Sequence, residues 1–149
     1  MARNAIATQE DFDLNVFSKT GKKVSIDSDL FESLNKYQCE GVKSMWKCMT
    51  QPKAKNDYGC ILADEMGLGK TVQCIALVRK LMTDSLEEPG IPTVFKAVIV
   101  TPKSLVDHWA KELQRWLDKW LEANGVQISV VGEKNEKEAV WYFANGLPG

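Results

Sequence analysis

The sequence predicts an α/β fold built on a parallel sheet. Short apolar runs of strand length alternate with helical stripes, in the order helix, then strand–helix three times. The runs are continuous rather than alternating, as in strands covered on both faces. The 149 residues are 44% hydrophobic and 26% charged, the length and balance of one globular unit with a sizeable core. The same figures exclude a disordered chain, a collagen and a coiled-coil rod. Runs such as Ala97-Val98-Ile99-Val100 fall far short of the ~18 apolar residues that span a bilayer, so no membrane partner is expected.

Residues 1–32 form an N-terminal extension, and 33–149 the main unit. Phe12, Leu14, Val16 and Phe17 stand among polar groups before a Lys19-Thr20-Gly21 turn signal, which reads as an irregular arm. A first helix over 35–49 follows from Leu34, Tyr37, Val42, Met45, Trp46 and Met49 at spacings of three and four. Residues 58–63 form the first buried-type strand. A glycine-bearing loop leads to a helix over 70–82 that presents Val72, Ile75, Ala76, Val78 and Leu81. Residues 83–95, with Pro89, Gly90 and Pro92, are an exposed loop. A second strand over 97–100 is closed by Thr101-Pro102. The helix over 105–121 opens on a capping-box-like Ser104–Asp107 and carries Leu105, Trp109, Leu113, Trp116 and Trp120 in one stripe. A third strand over 126–131 and a last helix over 136–144 complete the alternation, which implies right-handed crossovers.

Net charge is −1, but residues 1–33, 34–83 and 84–149 carry −2, +4 and −3. The basic segment holds the motif described below. Cys39, Cys48, Cys60 and Cys74 lack Cys-x-x-Cys spacing and His108 is the only histidine, so no zinc set assembles. Cys60 and Cys74 read as small buried hydrophobes, and the cysteine usage fits a reducing compartment. The tryptophan stripe reads as core packing rather than a base-stacking platform, and His108 as a helix-surface residue.

The chemistry lies in Asp64-Glu65-Met66-Gly67-Leu68-Gly69-Lys70-Thr71, placed to end a strand and open a helix. Glycines let successive backbone N–H groups turn toward an anion, and a helix N-terminus adds partial positive charge. Lys70 is placed for β- and γ-phosphates and the Thr71 hydroxyl for Mg²⁺. The strict phosphate-loop pattern begins with glycine, where this chain has Asp64.

This segment resembles the first ATPase motif of the SWI/SNF-type helicase-like DNA translocases, in which an acidic residue replaces the leading glycine. Leu34-Asn35-Lys36-Tyr37-Gln38-Cys39-Glu40-Gly41-Val42 resembles that family's adenine-reading segment. Val98-Ile99-Val100-Thr101-Pro102-Lys103-Ser104-Leu105, with Trp109 and Glu112 after it, resembles its next motif. The branch that serves homologous-recombination repair is the most similar, through Tyr58-Gly59-Cys60-Ile61-Leu62-Ala63 and Thr71-Val72-Gln73-Cys74-Ile75. The likeness covers residues 24–132.

The resemblance implies an incomplete RecA-like lobe that binds ATP and Mg²⁺. It implies that Gln38 reads adenine, that Asp64, Gly67, Leu68, Gly69 and Lys70 form the nucleotide cradle, and that Thr71 holds the metal. Thr101, Pro102 and Lys103 would lie on a track for double-stranded DNA. A recombinase filament or nucleosomes would be partners of the full-length protein, and the nucleus its location. The family's Asp-Glu hydrolysis pair has no counterpart after Lys70, nor is there a second lobe. The chain is therefore expected to be the N-terminal part of the lobe, with no catalytic residue of its own and no turnover alone. The alternative is a non-catalytic nucleotide- or partner-binding module. A small phosphate-loop kinase is disfavoured by the Gln38 segment and Thr101-Pro102.

Overall fold

The structure, a computed structural model, describes residues 13–17, 23–25, 30, 32–51, 59–84, 92–131, 137 and 144. Its elements are strands β1 (Asp13–Phe17) and β2 (Lys23–Ser25) and helices α1 (Lys36–Thr50), α2 (Lys70–Thr83) and α3 (Val106–Asn124). The chain divides into two compact units, 1–95 and 96–149.

The expected parallel sheet does not form, and this corrects the α/β, RecA-like expectation. Among the described residues the only sheet is the antiparallel β1–β2 pair. Residues 59–65, 96–102 and 126–131 have no regular secondary structure. Their apolar side chains are largely in solvent: Ile61 is 92% exposed and Val100 91%. Apolar continuity reports only a wish for burial. A parallel strand also needs lateral hydrogen-bonding partners and covered faces, and these segments join no ladder. The irregular N-terminal arm is corrected as well, because β1 and β2 pair Val16 with Val24 and Phe17 with Lys23, the register slipping between Asp13 and Val16. The predicted helix over 136–144 lies outside the described residues except for Lys137 and Ala144.

The helices follow the sequence closely. In the first unit, α1 packs on α2. Cys39, Val42, Met45 and Trp46 are buried on one side of α1, facing a core that includes Val72, Ile75, Ala76, Leu77 and Leu81 of α2, with Leu30 and Leu34. The spacing is the i, i+3, i+4, i+7 stripe of an amphipathic helix. The Asn35 N–H donates to Gln38 Oε1 at 2.9 Å, the reciprocal half of a capping box. At the other end the Thr50 hydroxyl donates to the Trp46 carbonyl at 2.8 Å. Helix α2 is buried on more than one face and takes Gln73, Arg79 and Lys80 inside with it. Lys80 is paired with Asp84 one turn on, as a buried ammonium requires. After 85–91 the chain returns to this end: Thr93 N–H and its hydroxyl both donate to the Asp84 carbonyl, at 3.1 and 2.7 Å.

In the second unit, α3 is preceded by a 3₁₀ turn at Lys103–Leu105. The expected capping box does not form; Leu105 is the N-cap and no side chain caps it. Leu117 and Leu121 are the buried residues of α3, while Trp109, Trp116 and Trp120 are half-buried. Trp116 Nε1 donates to Glu112 Oε2 at 2.9 Å, and the Arg115 guanidinium lies over the same ring, 5.2 Å from its centroid. The helix ends on Gly125 at φ 62°. Gly125 N–H donates to the Glu122 carbonyl and Val126 N–H to that of Leu121, a Schellman ending that glycine enters without steric cost. His108 is exposed, as expected.

The cysteines depart from their predicted places. Cys39 is buried, Cys74 intermediate, and Cys60 exposed along with Cys48. Cys60 follows 59–65 into solvent, because the strand that was to bury it is not made. Desolvation, and then the neighbouring Cys48 thiol, raise the Cys60 pKa. Desolvation, and then Cys60, raise that of Cys74. Both therefore remain protonated and weakly nucleophilic at neutral pH.

Candidate functional site

The site is built where the 64–69 loop enters α2. Gly67 and Gly69 have φ of 81° and 77°, left-handed values that other L-residues adopt at a cost. Gly69 has a second reason to lack a side chain, since a Cβ there would collide with Gln38 Nε2. The first intrahelical bond of α2 runs from Gln73 N–H to the Gly69 carbonyl, 3.2 Å. The backbone N–H groups ahead of it have no acceptor within the helix and mark its positive end.

Lys70 folds over this end. Its Nζ donates to the carbonyls of Asp64 and Glu65, both at 2.8 Å. Two of the three ammonium hydrogens thus clasp the start of the loop and hold the positive charge inside its curve. Thr71 follows in the first turn, half-buried, whereas Met66 is 94% exposed at the loop's tip.

The loop's far side is fastened to α1. The Leu68 carbonyl accepts from Tyr37 Oη at 3.2 Å and Gln38 Nε2 at 3.1 Å, with Gln73 Nε2 at 3.5 Å. Gln73 Nε2 also donates to Asp64 Oδ2 at 3.0 Å. Of the residues singled out from sequence, Gln38, Asp64, Leu68, Gly69 and Lys70 are therefore brought together, and Gly67 and Thr71 are continuous with them. Thr101, Pro102 and Lys103 belong to the second unit. There the Thr101 hydroxyl is buried without a hydrogen-bond partner among the described residues, and the Pro102 carbonyl accepts from Leu105 N–H at 2.8 Å.

Sequence reasoning missed Tyr37 and Gln73 as members of this cluster. Gln73 left a usable signal, because it is a polar residue between Val72 and Ile75 on the face that meets the core. A buried amide must find partners, and the loop one turn away is the nearest source. Tyr37 left none beyond its place beside Gln38.

A glycine-bent loop, a lysine inside it and an open helix N-terminus are the features by which proteins bind anions. The chain belongs to the SNF2-related domain family, which matches residues 37–141. It is 51% identical over 96 residues to the DNA repair protein rhp54 of Schizosaccharomyces pombe, covering 64% of this chain and 11% of that protein. It is 47% identical over 94 residues to the DNA repair and recombination protein RAD54-like of Mus musculus, covering 63% of this chain and 12% of the relative. The human RAD54-like protein gives the same identity and coverage. The chain thus spans about an eighth or less of the length of these relatives, and it carries the SNF2-type sequence of the recombination-repair branch.

Proposed function

We propose that this chain is the ATP-binding portion of an ATP-dependent double-stranded DNA translocase acting in recombinational repair or chromatin remodelling in the nucleus. The observation that carries the reading is the placement of Lys70 and the two left-handed glycines around the N-terminus of α2. Asp64, Gly67, Leu68, Gly69 and Lys70 form the phosphate cradle, with the third Lys70 hydrogen directed to the nucleotide. Gln38 commits one amide hydrogen to Leu68 and one carbonyl lone pair to Asn35. Its remaining hydrogen and lone pair match the N7 acceptor and N6 donor of adenine. The Thr71 hydroxyl would hold Mg²⁺, and the ion when bound would neutralise phosphate charge. Recombinase filaments or nucleosomes are the partner classes of the whole protein.

Titration of a fluorescent ATP analogue with Mg²⁺, followed by anisotropy, tests this. Saturable binding competed by unlabelled ATP, without phosphate release, is the expected result. Absence of saturation at millimolar nucleotide overturns the reading. Steady DNA-stimulated phosphate release would show that the chain has a hydrolytic acid not recognised here.

The DNA part of the proposal rests on Thr101, Pro102 and Lys103 at the 3₁₀ turn before α3. One to three phosphate contacts there give a slope of log K against log[salt] of about −1 to −3, at ~0.9 per phosphate. Lys103→Ala is expected to weaken two unrelated duplexes equally and to lower the slope by about 1. A slope steeper than about −6, or a large preference for one duplex, would point instead to a dedicated base-reading surface.

A further inference from the structure

We infer that Gln73 is a positioning residue for the phosphate loop, tying Asp64 and Leu68 to α2, and that Gly41 of α1 lacks a side chain in order to admit it. The inference rests on the reading of residues 64–71 as a phosphate loop. Gln73 is fully buried, with 0% exposure. Both neighbours of its Nε2 are oxygen acceptors, the Asp64 carboxylate at 3.0 Å and the Leu68 carbonyl at 3.5 Å, so the chemistry fixes which end of the amide faces the loop. Asp64 stands near the loop's start and Leu68 near its end, and a single NH₂ group spans the two.

The other end of the amide explains Gly41. Gln73 Oε1 has no hydrogen-bond partner among the described residues, and a Cβ on Gly41 would collide with it. The Cα–H of Gly41 is what the buried oxygen faces, a weak contact. Gly41 lies inside α1, where glycine is less favourable than alanine. Its presence is accounted for by the space the Gln73 amide takes. Gly41, Gln73 and Asp64 thus form one line from α1 through α2 to the loop. The acidic residue in place of the leading glycine gains a purpose, as the acceptor that anchors the loop.

The test is hydrogen exchange of the amides of residues 65–69, with nucleotide affinity measured on the same proteins. Gln73→Glu sets a second carboxylate against Asp64. It is expected to speed exchange of those amides and to weaken nucleotide binding by about ten- to a hundredfold, as loss of a buried hydrogen bond to a charged group does. Adding Asp64→Asn to Gln73→Glu rebuilds the side-chain bond with its polarity reversed, though not the bond to the Leu68 carbonyl, and should recover part of both losses. Gly41→Ala, which displaces the amide without touching the loop, should loosen the same five amides. Far-UV circular dichroism identifies any variant that fails to fold. If Gln73→Glu fails, Gly41→Ala decides. Unchanged loop exchange in folded Gln73→Glu or Gly41→Ala, or no recovery in the double variant, overturns the inference. If the unsubstituted chain binds no nucleotide, the phosphate-loop reading fails, while loop exchange still reports whether Gln73 holds the segment.

Discussion

Trp46→Ala is expected to lower the stability of the first unit by about 3–5 kcal/mol. Trp46 is the largest fully buried side chain among the described residues, with 0% exposure, on the side of α1 that meets α2. Its Nε1 has no hydrogen-bond partner among the described residues, and among them packing holds the indole in place. Truncation loses its transfer free energy and leaves a cavity that two helices cannot fully close. Domains of this size have about 5–15 kcal/mol in total, so the variant is at the edge of folding. Trp46→Phe keeps most of the volume and removes the unpaired N–H, and should cost far less. Urea denaturation followed at 222 nm measures both. A loss under about 1 kcal/mol for the alanine variant would mean that the α1–α2 contact is not the core described.

Lys70→Ala is expected to weaken nucleotide binding by about ten- to a hundredfold or more, the effect of deleting a charge-assisted hydrogen bond. Two losses combine. The phosphates lose their cation, and the Asp64 and Glu65 carbonyls lose the donor that now clasps them at 2.8 Å. Lys70→Arg is not a rescue, because a planar guanidinium does not fit a loop bent around a compact ammonium. Calorimetric titration with ATP and Mg²⁺ reads the loss. Affinity equal to that of the unsubstituted chain would remove Lys70 from the site.

The three helices were legible because helix formation is local. The spacing of Val42, Met45 and Trp46 records the buried face of α1 directly in the sequence. On α3 the buried residues are instead Leu117 and Leu121, and not the expected Leu105, Trp109, Leu113, Trp116 and Trp120 stripe, of which Leu105 is exposed and the rest half-buried. The bend around Gly67 and Gly69 and the entry of Lys70 into α2 were legible for the same reason. Strands were not. Ile61, Val98 and Val100 are apolar enough for a sheet interior, but a sheet depends on partners distant in sequence, and single-segment hydropathy carries no information about them. The error over Cys60 followed from that one. The Ser104 cap failed because Lys103–Leu105 tightened into a 3₁₀ turn, which moved the helix start to Val106. Gln73 entered only within the family-like Thr71–Ile75 segment, because its partner Asp64 lies nine residues away on a bent loop.

The Leu68 carbonyl offers two lone pairs to three donors: Tyr37, Gln38 and Gln73. They share one acceptor, and the Gln73 contact is the longest. Removing one donor leaves the oxygen to the other two, whose bonds are expected to strengthen in compensation. Deletions at this oxygen are therefore epistatic. Each single substitution of Tyr37 or Gln38 understates what the oxygen does for the loop, and their combination costs more than the sum of its parts.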